Sequence, residues 1–424
     1  MAAGWSTRRA SRSEGVVRKH HGDRLIIVFT VLLMLVGLLI IYAIGPQRAN
    51  LMNSIHGFEY SEGFFFGKQL ISFALSLVAF WAMTMIPYEF ILKHGNKILW
   101  AGFIACAGLA VAGWTGIVEG TYGAVRWIEL GPFGSIQPAE ILKFGMLLYM
   151  AVFLGVRAKQ GKINDLKETL IPVAAIAGLA LLFIVVIQRD LGTGISLTAI
   201  IVTMLFVAGI KKKLVFAMFG LLVVMGLFVI FTSPHRVERV MTYLQGDSTS
   251  TSNDDTYHIE QAKIAIGSGG LVGVGIGDSV QASGYLPEAI NDSIFAIIGE
   301  TFGFIGTVAL LALFVALLMR LLGVMDFMVD LRLKLLAAGV FGWLGAHVIL
   351  NIAAMIGIFP LTGITLPLLS YGGTSMMFMA AALGLVFQLS RYTVHPSRIK
   401  EAINEDSRRG RGVGRTRYAS RRSS

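Results

Sequence analysis

The stretch LIIVFTVLLMLVGLLIIYAI, residues 25–44, decides the fold. Its 20 residues carry no charge, and a helix needs ~20 apolar residues to cross a hydrocarbon core of ~30 Å. Polar, basic residues 1–24 precede it. It is longer than a signal-peptide core and no small-residue cleavage pattern follows, so the reading is an uncleaved first span.

Runs of the same kind recur at 69–87, 98–118, 138–156, 170–188, 191–209, 214–232, 293–318, 333–357 and 374–390. The expectation is an all-α membrane protein with ten transmembrane helices. Barrel strands are excluded, because the runs lack period-two alternation and only helices or closed barrels satisfy the backbone in lipid. Composition agrees. Of 424 residues, 55% are hydrophobic and 14% charged, against about 25% charged in soluble proteins; mean hydropathy is +0.71. A secreted hydrolase, a cytosolic nucleotide enzyme and a disordered scaffold are excluded. The single Cys106 rules out a disulfide framework or a cysteine metal site.

The net charge of +11 is concentrated at the two ends and in short loops. With ten spans, 28 of the 36 Lys and Arg fall on one side, which makes both termini cytoplasmic. The organisation expected is a basic tail (1–24), a membrane domain (25–392) and a basic, disordered tail (393–424). That last tail suits anionic lipid better than nucleic acid. No internal repeat of the inverted-transporter kind is visible.

One connection is long: 233–292, on the extracytoplasmic side between spans seven and eight. Within it, 245–256 (QGDSTSTSNDDT) is polar and low in complexity, whereas 257–267 (YHIEQAKIAIG) has helical spacing and suits an interfacial amphipathic helix. The run GSGGLVGVGIGDS, residues 267–279, lacks the GxxxxGK[ST] pattern of a phosphate loop. A turn with several positive φ angles is the plainer reading.

Candidate chemistry gathers on the same side. YLPEAINDSIFAIIGETFGFIG, residues 285–306, carries Glu288, Asp292 and Glu300. An acidic residue within a span costs ~2.5–3.5 kcal/mol on insertion scales, so Glu300 is expected to face a polar interior or a basic partner. Asp292 and Glu300 are spaced to border one cavity. A carboxylate tuned upward by a dry cavity and by neighbouring carboxylates could serve as a general base, while a simple helix cap is the plainer role for Asp292. Arg126 lies in TYGAVRWIELGPFGSIQPAEILK, and Lys143 one turn into the fourth span, three residues after Glu140. The two cations could hold an anionic headgroup, Arg as a fork and Lys as a point charge; an i,i+3 pair of Lys143 with Glu140 is the alternative. Arg189 could pair with Asp190. The Pro- and Gly-rich segment 351–375 offers Ser370, Tyr371, Gly372, Gly373 and Thr374 as cavity candidates, since non-helical backbone at membrane depth lines protein or water.

These segments together resemble the SEDS family, the FtsW/RodA/SpoVE-type membrane proteins of bacterial cell-wall synthesis. The resemblance rests on GAVRWIELGPFGSIQPAEILK, QRDLGTGI, YHIEQAKIAIGSGGLVGVGIGDS, YLPEAINDSIFAIIGE and ITLPLLSYGGTS. GVGIGDSVQASGYLPEA and the long basic tails are more like FtsW than RodA. The resemblance implies a peptidoglycan glycosyltransferase that polymerises lipid II, releases undecaprenyl pyrophosphate, and acts in cell division at the septum of the bacterial cytoplasmic membrane. It implies Asp292 as the base that deprotonates the attacking sugar hydroxyl. Arg126 and Lys143 would hold pyrophosphate, with Glu288, Glu300, Gln261, Ser370, Gly372 and Gly373 as further substrate contacts. Three departures stand out: Val125 where a second Arg is common, NDSIF for TDFIF, and Glu300-Thr301 for a glutamate pair. The expected partners are a class B penicillin-binding protein, the transpeptidase, and other division proteins. A divalent cation, Mg or Mn, is expected to support activity, although no metal-ligand set is legible; no organic cofactor is expected. Two competing readings are a lipid II flippase and a non-catalytic scaffold of the division machinery.

Overall fold

The computed structural model describes residues 21–116, 125–129, 135–231 and 254–393. Both basic tails, apart from their innermost residues, and the stretch 232–253 of the long loop lie outside the described residues.

The described residues are 76% helical. In order come α1 (Arg24–His56), α2 (Phe64–Met85), α3 (Tyr88–Trp114), α4 (Pro138–Lys159), α5 (Leu166–Ile187), α6 (Leu191–Val207), α7 (Lys212–Phe231), α8 (Asp254–Ser268), α9 (Ile294–Asp326), α10 (Leu331–Met355) and α11 (Gly373–Leu389). Eight of these are long and apolar enough to cross a membrane among the described residues, namely α1–α5 and α9–α11. The α6 helix is apolar but shorter, and α7 is 20 residues long. The only strands among the described residues are β1 (Ile128–Glu129) and β2 (Ser135–Ile136), a small antiparallel hairpin before α4.

Local signals set the boundaries. Asp23 caps α1, its carboxylate accepting from the Leu25 amide, and Pro138 opens α4 where its missing N–H is harmless. Asp330 caps α10 in the same way through the Arg332 amide. The apolar run underestimates α1, which continues through Pro46 to His56 and so carries Gln47 and Arg48 onto the helix. Wide π-helical turns begin and end α5.

The centre of the bundle is α4, α10 and α11, in which 72–78% of the membrane-spanning residues are buried, against 22–28% in α2 and α3. The main packed pairs are α2 with α11, α3 with α4, and α6 with α10. Small residues allow these approaches, as is usual where lipid removes the hydrophobic drive. A Cβ on Gly102 would lie 2.6 Å from the Leu142 backbone, and one on Gly145 would lie 2.6 Å from that of Leu99.

The glycine run is bound into α9. That helix breaks at Gly303 (φ 64°, ψ −161°). The carbonyls of Glu300 and Thr301, which would accept from Phe304 and Ile305, accept instead from Val274 N (2.9 Å) and Gly275 N (3.1 Å). The Phe304 and Ile305 amides donate to the carbonyls of Gly270 (2.9 Å) and Leu271 (3.1 Å). All four groups freed by the break are thus satisfied by loop backbone, as burial requires. The positive-φ reading of the loop agrees with Gly270, Gly273, Gly275 and Gly277. The α8 helix packs against α9 and α10 and buries Ala262 and Ala265 completely. It is not a free interfacial helix, because its small residues seat it on Gly299, whose Cβ would lie 3.2 Å from Ile266.

Candidate active site

The site lies at one end of the bundle, where the stretch holding Arg126, the turn 188–190, residues 287–293 and the segment before α11 come together around Asp292. Residues 287–293 fold around the carbonyl of Glu288, which accepts from the amides of Asn291 (2.9 Å) and Ser293 (3.2 Å). Glu288 itself adopts a left-handed conformation (φ 48°), a strain of the kind found at functional sites. The Tyr371 amide donates to the Ile290 carbonyl at 2.9 Å, fastening this turn to the segment before α11.

Asp292 does not cap α9. The helix begins at Ile294 after Ser293, and no side chain caps it. Ser293 Oγ donates to the Pro287 carbonyl (2.9 Å) and accepts from His258 Nε2 of α8 (2.6 Å). The Asp292 carboxylate, half-buried, receives no hydrogen bond among the described residues. Its carbonyl accepts from Asn351 Nδ2 of α10 at 2.7 Å, and a Cβ on Gly363 would lie 3.6 Å from its Oδ2. Burial pushes the Asp292 carboxyl up to about 7; Glu288 and Asp190 push in the same direction, and Arg126 opposes them.

Arg126 approaches from the hairpin. Its Nε donates to the Gln188 carbonyl (3.2 Å) and an Nη to the Arg189 carbonyl (2.7 Å). The remaining guanidinium hydrogens are available to a ligand. The expected Arg189–Asp190 pair does not form. Asp190 caps α6 through the Thr193 amide and hydroxyl and accepts from Gln137 Nε2 at 2.8 Å, so both its oxygens are occupied.

Lys143 takes the alternative that the sequence left open: fully buried, it pairs with Glu140 Oε1 at 2.8 Å and lies 4.5 Å from the centre of a Trp343 ring. The bond to Glu140 is the one hydrogen bond its ammonium makes among the described residues. Glu300, inside α9, is bound into the glycine run. Its carboxylate accepts from Ser279 Oγ and from the amides of Val280 (3.0 Å) and Gln281 (3.2 Å), the polar partners that its burial demanded. The Ser370 hydroxyl accepts from the Leu366 amide at 2.8 Å. Gly372 is extended (φ 178°); a Cβ on Gly373 would meet Ser72 Oγ at 3.0 Å. Gln261 is half-buried on α8, without a hydrogen bond among the described residues. Glu288 is exposed beside Asp292, its carboxylate accepting from Asn291 Nδ2.

Two residues escaped the sequence reading. Arg48, on the last turns of α1, is close enough to Glu288 for direct charge attraction; the polar GPQRAN after the apolar run was its only signal. Asn351 stood in a hydrophobic context, NIAAM, with no charge to single it out. Among the described residues no three His, Cys, Asp or Glu gather as a metal site.

The family model described as "Cell cycle protein" (FtsW, RodA and SpoVE) matches residues 23–395, nearly the whole described chain. The chain belongs to the FtsW/RodA/SpoVE family. Stage V sporulation protein E of Bacillus subtilis is 33% identical over 378 residues, 89% of this chain and 99% of that protein. A Methylococcus capsulatus relative named "Probable peptidoglycan glycosyltransferase FtsW" is 32% identical over 391 residues, 91% of this chain and 95% of its own. The fold is that of RodA from Thermus thermophilus (TM-score 0.62, 22% identity, 88% of this chain and 98% of that one). It also matches a chain from a structure described as "Structural coordination of polymerization and crosslinking by a peptidoglycan synthase complex" (TM-score 0.66, 23% identity, 87% and 98%).

Proposed function

We infer that the protein is a peptidoglycan glycosyltransferase of the FtsW kind, which polymerises lipid II in cell division. The observation that carries the chemistry is Asp292: a carboxylate raised to about 7, free of hydrogen bonds among the described residues, with an arginine fork opposite. A base with that affinity for a proton accepts one readily near neutral pH. Asp292 takes the proton from the attacking sugar hydroxyl. The oxygen forms its bond to the anomeric carbon of the lipid-linked donor as the bond to pyrophosphate breaks. Undecaprenyl pyrophosphate leaves with its charge facing Arg126, a fork suited to phosphate oxygens. Lys143 and Glu140 neutralise one another within α4, and Glu300 anchors the glycine run.

The topology that fits this chemistry has ten spans, with α6 and α7 joining the eight long helices. Both termini are cytoplasmic and the Asp292 end is extracytoplasmic, where lipid II is polymerised. A class B penicillin-binding protein is the proposed partner, at the division septum. The carboxylates do not form a ready metal site among the described residues, since both oxygens of Asp190 already accept from Thr193 and Gln137. A divalent cation that supports activity would arrive on the pyrophosphate.

The test uses the purified protein with its transpeptidase partner, labelled lipid II and divalent cation, with glycan length read on a gel. Polymer is expected from the parent and none from Asp292→Ala, with both variants folded and binding lipid II. Polymer from both would remove Asp292 as the essential base. No polymer under any partner condition would move the reading to translocation of lipid II across vesicles.

A further inference from the structure

The wall that faces the Asp292 carboxylate is the segment 361–366 (LTGITL), and α10 grips it with two side chains one turn apart. His347 faces the Thr365 carbonyl through Nδ1 (3.3 Å) and Ser196 Oγ of α6 through Nε2 (3.0 Å). Asn351 Nδ2 donates to the Ile364 carbonyl (2.7 Å) and to the Asp292 carbonyl (2.7 Å). The first turn of α6 presses on the same segment, since a Cβ on Gly192 would lie 2.6 Å from the Thr362 carbonyl.

Asn351 is 1% exposed, and its Oδ1 has no partner among the described residues. Two carbonyl acceptors therefore fix the orientation of the amide, because only the NH₂ group can serve both. This one nitrogen joins the backbone of Asp292 to the backbone beside Gly363. Gly363 is left-handed (φ 70°) and faces Asp292 Oδ2 without a side chain, so at this point the wall meets the carboxylate with backbone only.

We infer that Asn351 is a positioning residue for the glycosyl-transfer step: by tying the Asp292 carbonyl to the Ile364 carbonyl, it holds the Asp292 carboxylate against the Gly363 wall and at its set distance from the reacting hydroxyl. This rests on Asp292 acting as the base. The groups that set the proton affinity of Asp292 come from three elements: Glu288 on its own turn, Asp190 at the start of α6, and Arg126 on the hairpin. Released from Asn351, the carboxylate moves away from the wall toward water and its proton affinity falls.

The test measures kcat, KM for lipid II and the pH dependence of kcat on the full-length protein with its partner, under conditions where the parent polymerises. The variants are Asn351→Ala, Asn351→Ser, Asp292→Asn and a control, Gln388→Ala. Gln388 makes the same kind of bridge at the far end of α11, donating to the Thr84 (3.2 Å) and Ile86 (2.6 Å) carbonyls. Sixteen residues of helix separate it from Gly372, about 24 Å.

Asn351→Ala is expected to lower kcat roughly 10- to 100-fold, the scale of a misplacement of about 1 Å. KM should stay within about threefold, and the pH midpoint should move to lower pH. Asn351→Ser keeps a single donor and should fall between Asn351→Ala and the parent; it decides by the same criteria where the alanine variant does not fold. Gln388→Ala should lose comparable thermal stability with kcat and midpoint unchanged. Parental kcat and midpoint in a folded Asn351 variant, with Asp292→Asn inactive, would overturn the positioning role and leave the base intact. Equal changes in the Gln388 variant would make the effect one of general stability and also overturn it. Activity in Asp292→Asn would remove the base itself.

Discussion

An Nη of Arg126 donates to the carbonyl of Arg189 at 2.7 Å while Nε donates to that of Gln188, so one arginine closes a turn that holds another in a left-handed conformation (φ 54°). Non-glycine residues adopt that conformation at a cost of about 1–2 kcal/mol. The hairpin before α4 and the cap of α6 are thereby joined next to Asp292, and each part of the joint can be tested.

Arg126→Lys keeps the charge and loses the fork. A bond from a charged donor contributes about 1.5–3 kcal/mol, and each 1.4 kcal/mol corresponds to about tenfold in rate. We expect kcat/KM for lipid II to fall about 10- to 100-fold, with Arg126→Ala at least as severe. A change below twofold in Arg126→Lys would show that the two carbonyl contacts do not matter to turnover.

Arg189→Gly should raise the melting temperature measured in detergent, because glycine adopts a left-handed conformation without steric cost. The gain is limited to about 1 kcal/mol by the greater freedom of glycine in the unfolded chain. A lower melting temperature would mean that the Arg189 side chain contributes more than its backbone strain costs.

The carboxyl of Asp292, raised to about 7, dictates a pH profile. A base must be deprotonated, so polymerisation should rise with pH through a midpoint near 7. Glu288→Gln removes a neighbouring negative charge and should lower the midpoint; Arg126→Ala removes a positive one and should raise it. The linkage to stability runs the other way. Between the ordinary carboxylate range and about 7 the folded state holds a proton that the unfolded chain has released, so this group's contribution to stability is present below that range and declines as pH rises through it. Asp292→Asn should flatten that part of the melting curve against pH.

Gly303→Ala tests the loop bound into α9. The new Cβ would fall on Gly273 N and the Leu271 backbone, at a residue with φ 64°. We expect a loss of at least about 1–3 kcal/mol from the backbone term alone, read as a lower melting temperature. The glycine run should also become susceptible to proteolysis. An unchanged melting curve would show that the break is not needed to seat the loop.

Lys143 and Glu140 form a buried pair, and breaking one half leaves an uncompensated charge costing about 3–5 kcal/mol. Lys143→Met should therefore express poorly or melt early, and the double variant Lys143→Met with Glu140→Leu should recover stability. Recovered folding without polymerisation would show that the charged pair serves turnover as well as packing.

The sequence by itself determined that the chain is a helical membrane protein, because runs such as 25–44 have no other low-energy state in lipid. It also determined the family, since the segments around Arg126 and Asp292 can be read one after another. It placed Pro138 at the head of a helix and the positive-φ glycines in a loop, where local conformational preference suffices. The tertiary structure alone decided what those groups touch. Lys143 and Glu300 read in the sequence as substrate contacts beside the candidate base Asp292, yet Lys143 pairs with Glu140 and Glu300 accepts from the amides of Val280 and Gln281. Asn351 had no standing at all until α10 brought it between the carbonyls of Asp292 and Ile364, 59 and 13 residues away. Hydropathy and local propensity act over a few residues and are written along the chain; the partner of a buried polar group is chosen by packing among distant segments, and that choice binds the Glu300 carboxylate into the glycine run while leaving that of Asp292 without a hydrogen bond among the described residues.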